Sequence, residues 1–232
     1  MQTPLSRGYK PQVVQTTGWD REGYFSQSGQ DVFLDRLFRR STGFFVDIGA
    51  HDGVTFSNSL YFENKGWQGL CIEANPKVFQ SLVGNRSCGV VNVAAGTREG
   101  IVEFAEISGY PEMLSGVIDT YPRAHLRRIR GELREHGGKL NLTEVKMEPL
   151  ALTFDRFGIQ HADFVSIDIE GGELEAIRGI DFGSFSANVL LVENNYGSAK
   201  AANHLAKHGY RRIFRVGADD VFFGPELIGL SG

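Results

Sequence analysis

The runs "GFFVDIG", "QGLCIEA", "GVVNVAA", "ADFVSIDI" and "NVLLVEN" are apolar at nearly every position instead of at every second one. A strand with one wet face alternates, whereas a strand apolar throughout must be covered on both faces, as in a parallel sheet between helices. The segments between them carry helix cues: "TFSNSLYFENKG" stopped by Gly66, "PKVFQSLVGN" with Pro76 in its first turn, "GELEAIRGI" and "SAKAANHLAKHG". Ahead of the first run, "SQSGQDVFLDRLFRR" opens with cap-like Ser and Asp and spaces Val32, Phe33, Leu37 and Phe38 along one helical side. Near the end, "YRRIFRVGADDVFFGP" predicts two strands joined by the turn "GADD". Strands and helices that alternate in this way predict a doubly wound α/β fold.

A chain of 232 residues suits one large domain. Residues 1–25, rich in Gly, Thr, Gln and Pro, read as an extended arm, and 26–232 as a single domain. The stretch from about 107 to 143 breaks the alternation with prolines, glycines and charges, which predicts an inserted lid or substrate-facing element. A net charge of −4 argues against a nucleic-acid partner. No apolar run is long enough to span a bilayer, so no membrane partner is expected. Two cysteines, Cys71 and Cys88, offer no disulfide framework, which fits a soluble, cytoplasmic protein.

The stretch "FFVDIGAHDGVTFSNS" runs from a buried strand through Asp47 into Gly49 and Gly53. In a doubly wound sheet ligands sit at the carboxyl ends of the strands, and glycines there let the backbone approach them. The spacing is G-x-x-x-G and not the G-x-G-x-x-G of dinucleotide sites, which speaks against a pyrophosphate. Glu73 ends the second strand about 20 residues on, where an acid accepts hydrogen bonds from ribose hydroxyls. A nucleoside without pyrophosphate describes S-adenosylmethionine. The alternative for Glu73 is a simple cap on the next helix.

The blocks "FFVDIGAHDGVTFSNS", "GWQGLCIEANP", "VVNVAAG", "LSGVID", "DFVSIDIEGGELEAI" and "VLLVENN", in this order, resemble the FkbM family of S-adenosylmethionine-dependent methyltransferases. The resemblance spans about residues 24 to 215. It implies a class I methyltransferase (Rossmann-like) fold, with a mostly parallel sheet and an antiparallel C-terminal strand. It also implies methyl transfer to a hydroxyl of a sugar or related natural product. By the same resemblance Asp47, Gly49 and Gly53, with His51 and Asp52, form the turn near the methionine moiety. Glu73 matches the ribose acid, with Ala74 and Asn75 beside the adenosine, and Asn92, Val93 and Ala94 match the adenine edge. Ser26, Gln27 and Asp31 either fold over the amino-acid end of the cofactor or cap a helix.

Asp168 ends the fourth strand, and Glu193 and Asn194 end the fifth. Adjacent parallel strands put them at one sheet edge, as hard oxygen ligands suited to Mg2+ or Mn2+. This arrangement resembles the metal site of catechol-type and some sugar O-methyltransferases. Those enzymes often place Lys or His three residues after the strand-four acid, where this chain has Gly171. Glu170, His125, His136 and a metal-free Asp168 remain as candidate bases. The arginines of "RAHLRRIRGELR" either form a solvated helix face or, if some face the cleft, recognise a carboxylate or phosphate on the acceptor. The expected partners are a small-molecule or glycan hydroxyl and, for assembly, a homodimer. A nicotinamide-dependent oxidoreductase and a non-catalytic binding module are the rival readings.

Overall fold

The computed structural model of the protein describes residues 23–229, so the expected arm lies outside the described residues except at 23–25. The chain begins with α1 (Gln30–Phe38), β1 (Phe44–Ile48), α2 (Leu60–Asn64), β2 (Gln68–Glu73), α3 (Pro76–Asn85) and β3 (Gly89–Asn92). It continues through β4 (Ala94–Gly96), β5 (Gly100–Ser108), β6 (Gly116–Val117), α4 (Arg123–His136), β7 (Lys139–Pro149) and α5 (Leu150–Phe157). It closes with β8 (His161–Ile167), α6 (Glu173–Arg178), β9 (Ser186–Glu193), α7 (Lys200–Leu205), β10 (Arg211–Val216), β11 (Asp219–Phe223) and α8 (Pro225–Gly229).

The main sheet has the order β10-β11-β9-β8-β1-β2-β3. From β9 to β3 every pairing is parallel, and β11 runs antiparallel between β9 and β10. This is the mostly parallel sheet that the apolar runs predict, with the antiparallel strand at the C-terminal end. Its strands are covered on both faces. Val46, Ile48, Ile72, Val165 and Ile167 pack on one side with α5 and α6, and Phe45, Cys71, Phe164 and Val189 on the other with α1 and α2. Because β1, β2, β8 and β9 are parallel, their carboxyl ends emerge at one edge.

Three expectations are revised. "GVVNVAA" is not one strand: β3 pairs with β2 as far as Asn92, and after Val93 the chain enters a second sheet, where Ala94 pairs with Met147. Small residues allow this crossing, since a Cβ on Gly96 would meet Met147 Sδ at 2.4 Å. The helix expected over "TFSNSLYFENKG" is confined to α2, because Ser57 Oγ accepts from the backbone N–H groups of Ser59 and Leu60 and fixes a turn first. The 107–143 segment is an ordered structure that begins earlier than expected. Strands β5 and β7 pair antiparallel from Gly100↔Met147 to Ser108↔Lys139, and β6 and α4 lie between them in sequence. The four strands β4-β7-β5-β6 form the smaller sheet.

Candidate active site

A cavity of about 310 Å3 opens at the carboxyl edge of the main sheet and is roofed by the smaller one. Gly49 forms one wall, at φ +85°, and a Cβ there would meet the Asp168 carbonyl oxygen at 1.7 Å. Only glycine lets β1 leave the sheet this close to the end of β8. Glu73 lies beside the turn, almost fully buried. Its Oε2 accepts from the His51 N–H at 2.9 Å and its Oε1 from the Asn75 N–H at 2.7 Å. Burial raises its pKa and these backbone donors oppose the rise. A carboxylate oxygen has lone pairs beyond one hydrogen bond, so both remain able to accept from a ligand. Ile72, Val93, Ala94 and Phe104 supply an apolar flank.

The turn is braced from beneath. Asp47 Oδ2 accepts from Ser59 Oγ at 2.5 Å, and Ser59 Oγ accepts from Arg86 Nη2 at 3.0 Å. Arg86 Nη1 donates to the Gly53 carbonyl at 3.1 Å, and Nε to Glu63 Oε2. A buried guanidinium thus ties the end of β1, the glycine turn and α2 together.

At the inner end of the cavity carboxylates converge. One oxygen from each of Asp168, Glu170 and Glu193 lies within 4.8 Å of the others. Asp219, opposite Glu193 in the sheet register, lines the same region and accepts from Gln30 Nε2 at 2.8 Å. Asp168 is open to the cavity, yet protein surrounds that cavity. Burial, and then the charge of Glu193, push its carboxyl well above the ordinary range. Glu170 and Glu193 are likewise pushed up, first by burial and then by neighbouring carboxylates, and Asp219 rises to about 6 for the same first reason. Glu170 adopts φ +57°, a conformation rare for a side-chain-bearing residue. Glu173 holds the loop in place, its Oε1 accepting from the N–H groups of Gly171 at 2.7 Å and Ile169 at 3.3 Å. The strained turn aims Glu170 toward the cavity, with its Oε2 buried and without a hydrogen-bond partner.

The sequence matches the model of the methyltransferase FkbM domain over residues 47–212. The chain belongs to the FkbM methyltransferase family. S-adenosylmethionine is therefore its methyl donor. No curated protein matches the sequence. In three dimensions the chain is similar to precorrin-6y C5,15-methyltransferase from Geobacter metallireducens GS-15. That match has a TM-score of 0.44 and 16% identity, and covers 87% of this chain and 89% of that one. A TehB-like SAM-dependent methyltransferase from Corynebacterium glutamicum gives 0.46 and 10%, covering 86% and 89%. Fibrillarin from Aeropyrum pernix, in complex with natively bound S-adenosyl-L-methionine, gives 0.41 and 10%, covering 95% and 84%.

The residues of this FkbM domain fit the cofactor: a wall without Cβ, an oriented acid and an apolar flank suit a nucleoside. Of the residues singled out in sequence, Gln27, Gly49, His51, Glu73, Ala74, Asn75, Val93, Ala94, Asp168, Glu170 and Glu193 line the cavity. Others do not reach it. Asp47 faces the Arg86 network, and Gly53 abuts Leu82 and Arg86. Asp52 caps its own loop by accepting from Val54 and Thr55. Asn92 donates to the carbonyls of Glu73 and Ala74, which holds the exit of β2. Ser26 and Asp31 close a local turn before α1 through a 2.5 Å Ser26 Oγ to Asp31 Oδ1 bond.

Asn194 is not part of the acidic cluster. Its Nδ2 donates to Asp220 Oδ2 at 2.7 Å and to the Ser198 carbonyl at 2.9 Å, on the other side of the strand from Glu193. His125 is fully buried behind the cavity, and burial lowers its pKa. With Nε2 donating to the Leu114 carbonyl at 3.2 Å, Nδ1 is left to accept from Tyr196 Oη at 3.0 Å, 3.5 Å from Glu170 Oε2. It packs beside Glu170 and does not face an acceptor. His136 sits at the far end of α4 beside Glu132. Sequence reading missed Gln30, Asn58, Glu112, Thr120 and Asn195 as lining residues and left Asp219 in an ordinary turn.

Proposed function

We propose that the protein is an S-adenosylmethionine-dependent O-methyltransferase acting on a hydroxyl of a sugar or related natural product. The observation that carries the reading is the carboxylate cluster of Asp168, Glu170 and Glu193 at the inner end of the cavity, beside the Gly49 turn. The bound cofactor supplies an electrophilic methyl group on a sulfonium. In this reading Glu73 grips its ribose, Val93 and Ala94 flank the adenine, and the Gly49 turn meets the methionine end. The Glu170 carboxylate, which lines the cavity, accepts the hydroxyl proton. Asp168 and Glu193 hold the acceptor oxygen in line by taking hydrogen bonds from neighbouring hydroxyls.

A second reading is favoured by the donor set itself. Three carboxylates forced together, with raised pKa values, form an arrangement that a divalent cation relieves. Asp168, Glu170 and Glu193 would hold Mg2+ or Mn2+, which would stabilise an alkoxide as a Lewis acid. Glu170 takes the place in this set that Asn194 was expected to hold.

The test is methyl transfer from labelled cofactor to a panel of hydroxylated glycans, with and without chelator. Transfer lost on Glu170→Gln but unchanged in chelator supports the base reading. Loss in chelator, restored by Mg2+ or Mn2+, supports the cation. Transfer confined to amine or carbon acceptors overturns O-methylation altogether.

A further inference from the structure

The arginine-rich segment was one of two alternatives in sequence, a solvated face or a cleft-facing recognition element. The structure separates its members. Only Arg128 lines the cavity, 3.7 Å from Glu170. Arg123, Arg127, Arg130 and Arg134 are exposed, while His125 and Ile129 of the same helix are buried. At 100° per residue the four outward arginines fall within about 60° of one another, on the side away from the buried pair. They form a stripe about 17 Å long. None makes an ion pair or a side-chain hydrogen bond among the described residues.

Helix stability does not explain such a stripe. Arg123/Arg127, Arg127/Arg130 and Arg130/Arg134 are like-charge neighbours three or four residues apart, which destabilises a helix. Arg123 also lies in the first turn, where the helix dipole disfavours a cation, and no acid accompanies it there. In a chain of net charge −4 this local excess points to a partner of opposite sign. A small acceptor filling the cavity reaches Arg128 and none of the four. The stripe fits a ligand with regularly repeated negative charges.

We propose that the outer face of α4 docks an acidic polysaccharide, a polyuronate-type chain, so that one of its hydroxyls reaches the cavity past Arg128. For what enters the cavity the proposal rests on the hydroxyl-methylation reading above. Tyr110, 75% exposed, lies against His136 with ring centroids 4.2 Å apart and the planes tilted by 43°, at the C-terminal end of the stripe. It offers a sugar ring an aromatic platform. A nucleic-acid strand fits less well, because among the described residues no run of exposed aromatic side chains follows the arginines. An anionic membrane also fits less well. The exposed Leu140 and Leu142 belong to β7, and on α4 itself Leu126 is the one exposed large hydrophobic residue, so the arginine helix has no apolar face to bury in a bilayer.

The experiment measures binding of the full chain to polygalacturonate, to its fully methyl-esterified form, to a single-stranded oligonucleotide and to phosphatidylserine vesicles. A variant with Arg127→Ala, Arg130→Ala and Arg134→Ala is compared with the corresponding triple lysine variant, at low and high salt. The expected result is binding to polygalacturonate that weakens about tenfold or more in the alanine variant and in high salt. The lysine variant retains most of it, and the esterified chain is not bound. Equal binding by wild type and alanine variant, or equal binding of the esterified chain, overturns the proposal. Tighter arginine-dependent binding to oligonucleotide or vesicles overturns it in favour of that partner. Cofactor titration runs in parallel: wild type that binds polygalacturonate but not S-adenosylmethionine sinks the methylation reading and leaves the docking surface standing.

Discussion

Replacing Gly49 by alanine tests whether the cavity depends on the close approach of β1 to β8. Two costs are separable. The first is backbone conformation: at φ +85° an alanine is strained by about 1–2 kcal/mol, partly offset by the reduced freedom of its unfolded chain. The second is contact, since the new Cβ would stand 1.7 Å from the Asp168 carbonyl oxygen, far inside the 3.0 Å that real contacts respect. Relieving it moves either the turn or the loop that carries Glu170, at an overpacking cost of about 1–3 kcal/mol. Before that offset the two costs come to about 2–5 kcal/mol of stability. Gly66 isolates the first cost, because it has φ +94° and nothing within 4 Å of its missing Cβ. Urea unfolding should therefore show Gly66→Ala destabilised by about 1 kcal/mol with cofactor affinity intact. Gly49→Ala should lose more stability and at least tenfold in S-adenosylmethionine affinity by calorimetry. Equal stability losses for the two variants, with wild-type affinity in both, would refute the reasoning.

Asp168→Asn removes one charge from the crowded carboxylates while keeping the shape. The melting temperature at neutral pH should rise by a few degrees as methyl transfer falls by about a hundredfold or more, and a lowered melting temperature would contradict the electrostatic account. Arg86→Met leaves Asp47 without its neutralising partner and the Gly53 carbonyl without a donor, and should cost about 3–5 kcal/mol in chemical unfolding. A loss under 1 kcal/mol would mean the brace is dispensable. Glu148 supplies the pH dependence. Burial opposes its charge, but Lys146, Thr153 and Arg156 hold its carboxyl down to about 2. Because this folded value lies below the unfolded one, the contribution is complete above about pH 5 and disappears as pH falls through 2. Its size is about 1–2 kcal/mol, since the two cations are half-exposed and screened. The stability gap between wild type and Glu148→Gln should close on acidification, and a gap independent of pH would remove the ion pair from the explanation.

Strands that are apolar at every position were legible because burial on both faces leaves no other arrangement for them. The smaller sheet was not, because "GIVEFAEIS" alternates only in part, with Phe104 and Ala105 both buried, and it interrupts a pattern read as helix and parallel strand. Side-chain direction was the commoner failure. Successive strand residues point to opposite faces. With Val46 and Ile48 on one face of β1, Asp47 belongs to the other, where Arg86 meets it. The same rule separates Asn194 from Glu193. The rotation of Glu170 into the cavity depends on a positive φ imposed by Gly171 and Glu173 around it, and residue type alone does not announce that.

Val93 joins the two sheets without a loop, so Val93 and Ala94, which line the cavity, are continuous with the strands that roof it. With the nucleoside and acceptor placed as proposed above, donor and acceptor share a connection of a single residue. A substrate that shifts the roof displaces the adenine side as well, and whatever factor it adds to the grip on the cofactor, the cofactor returns to it.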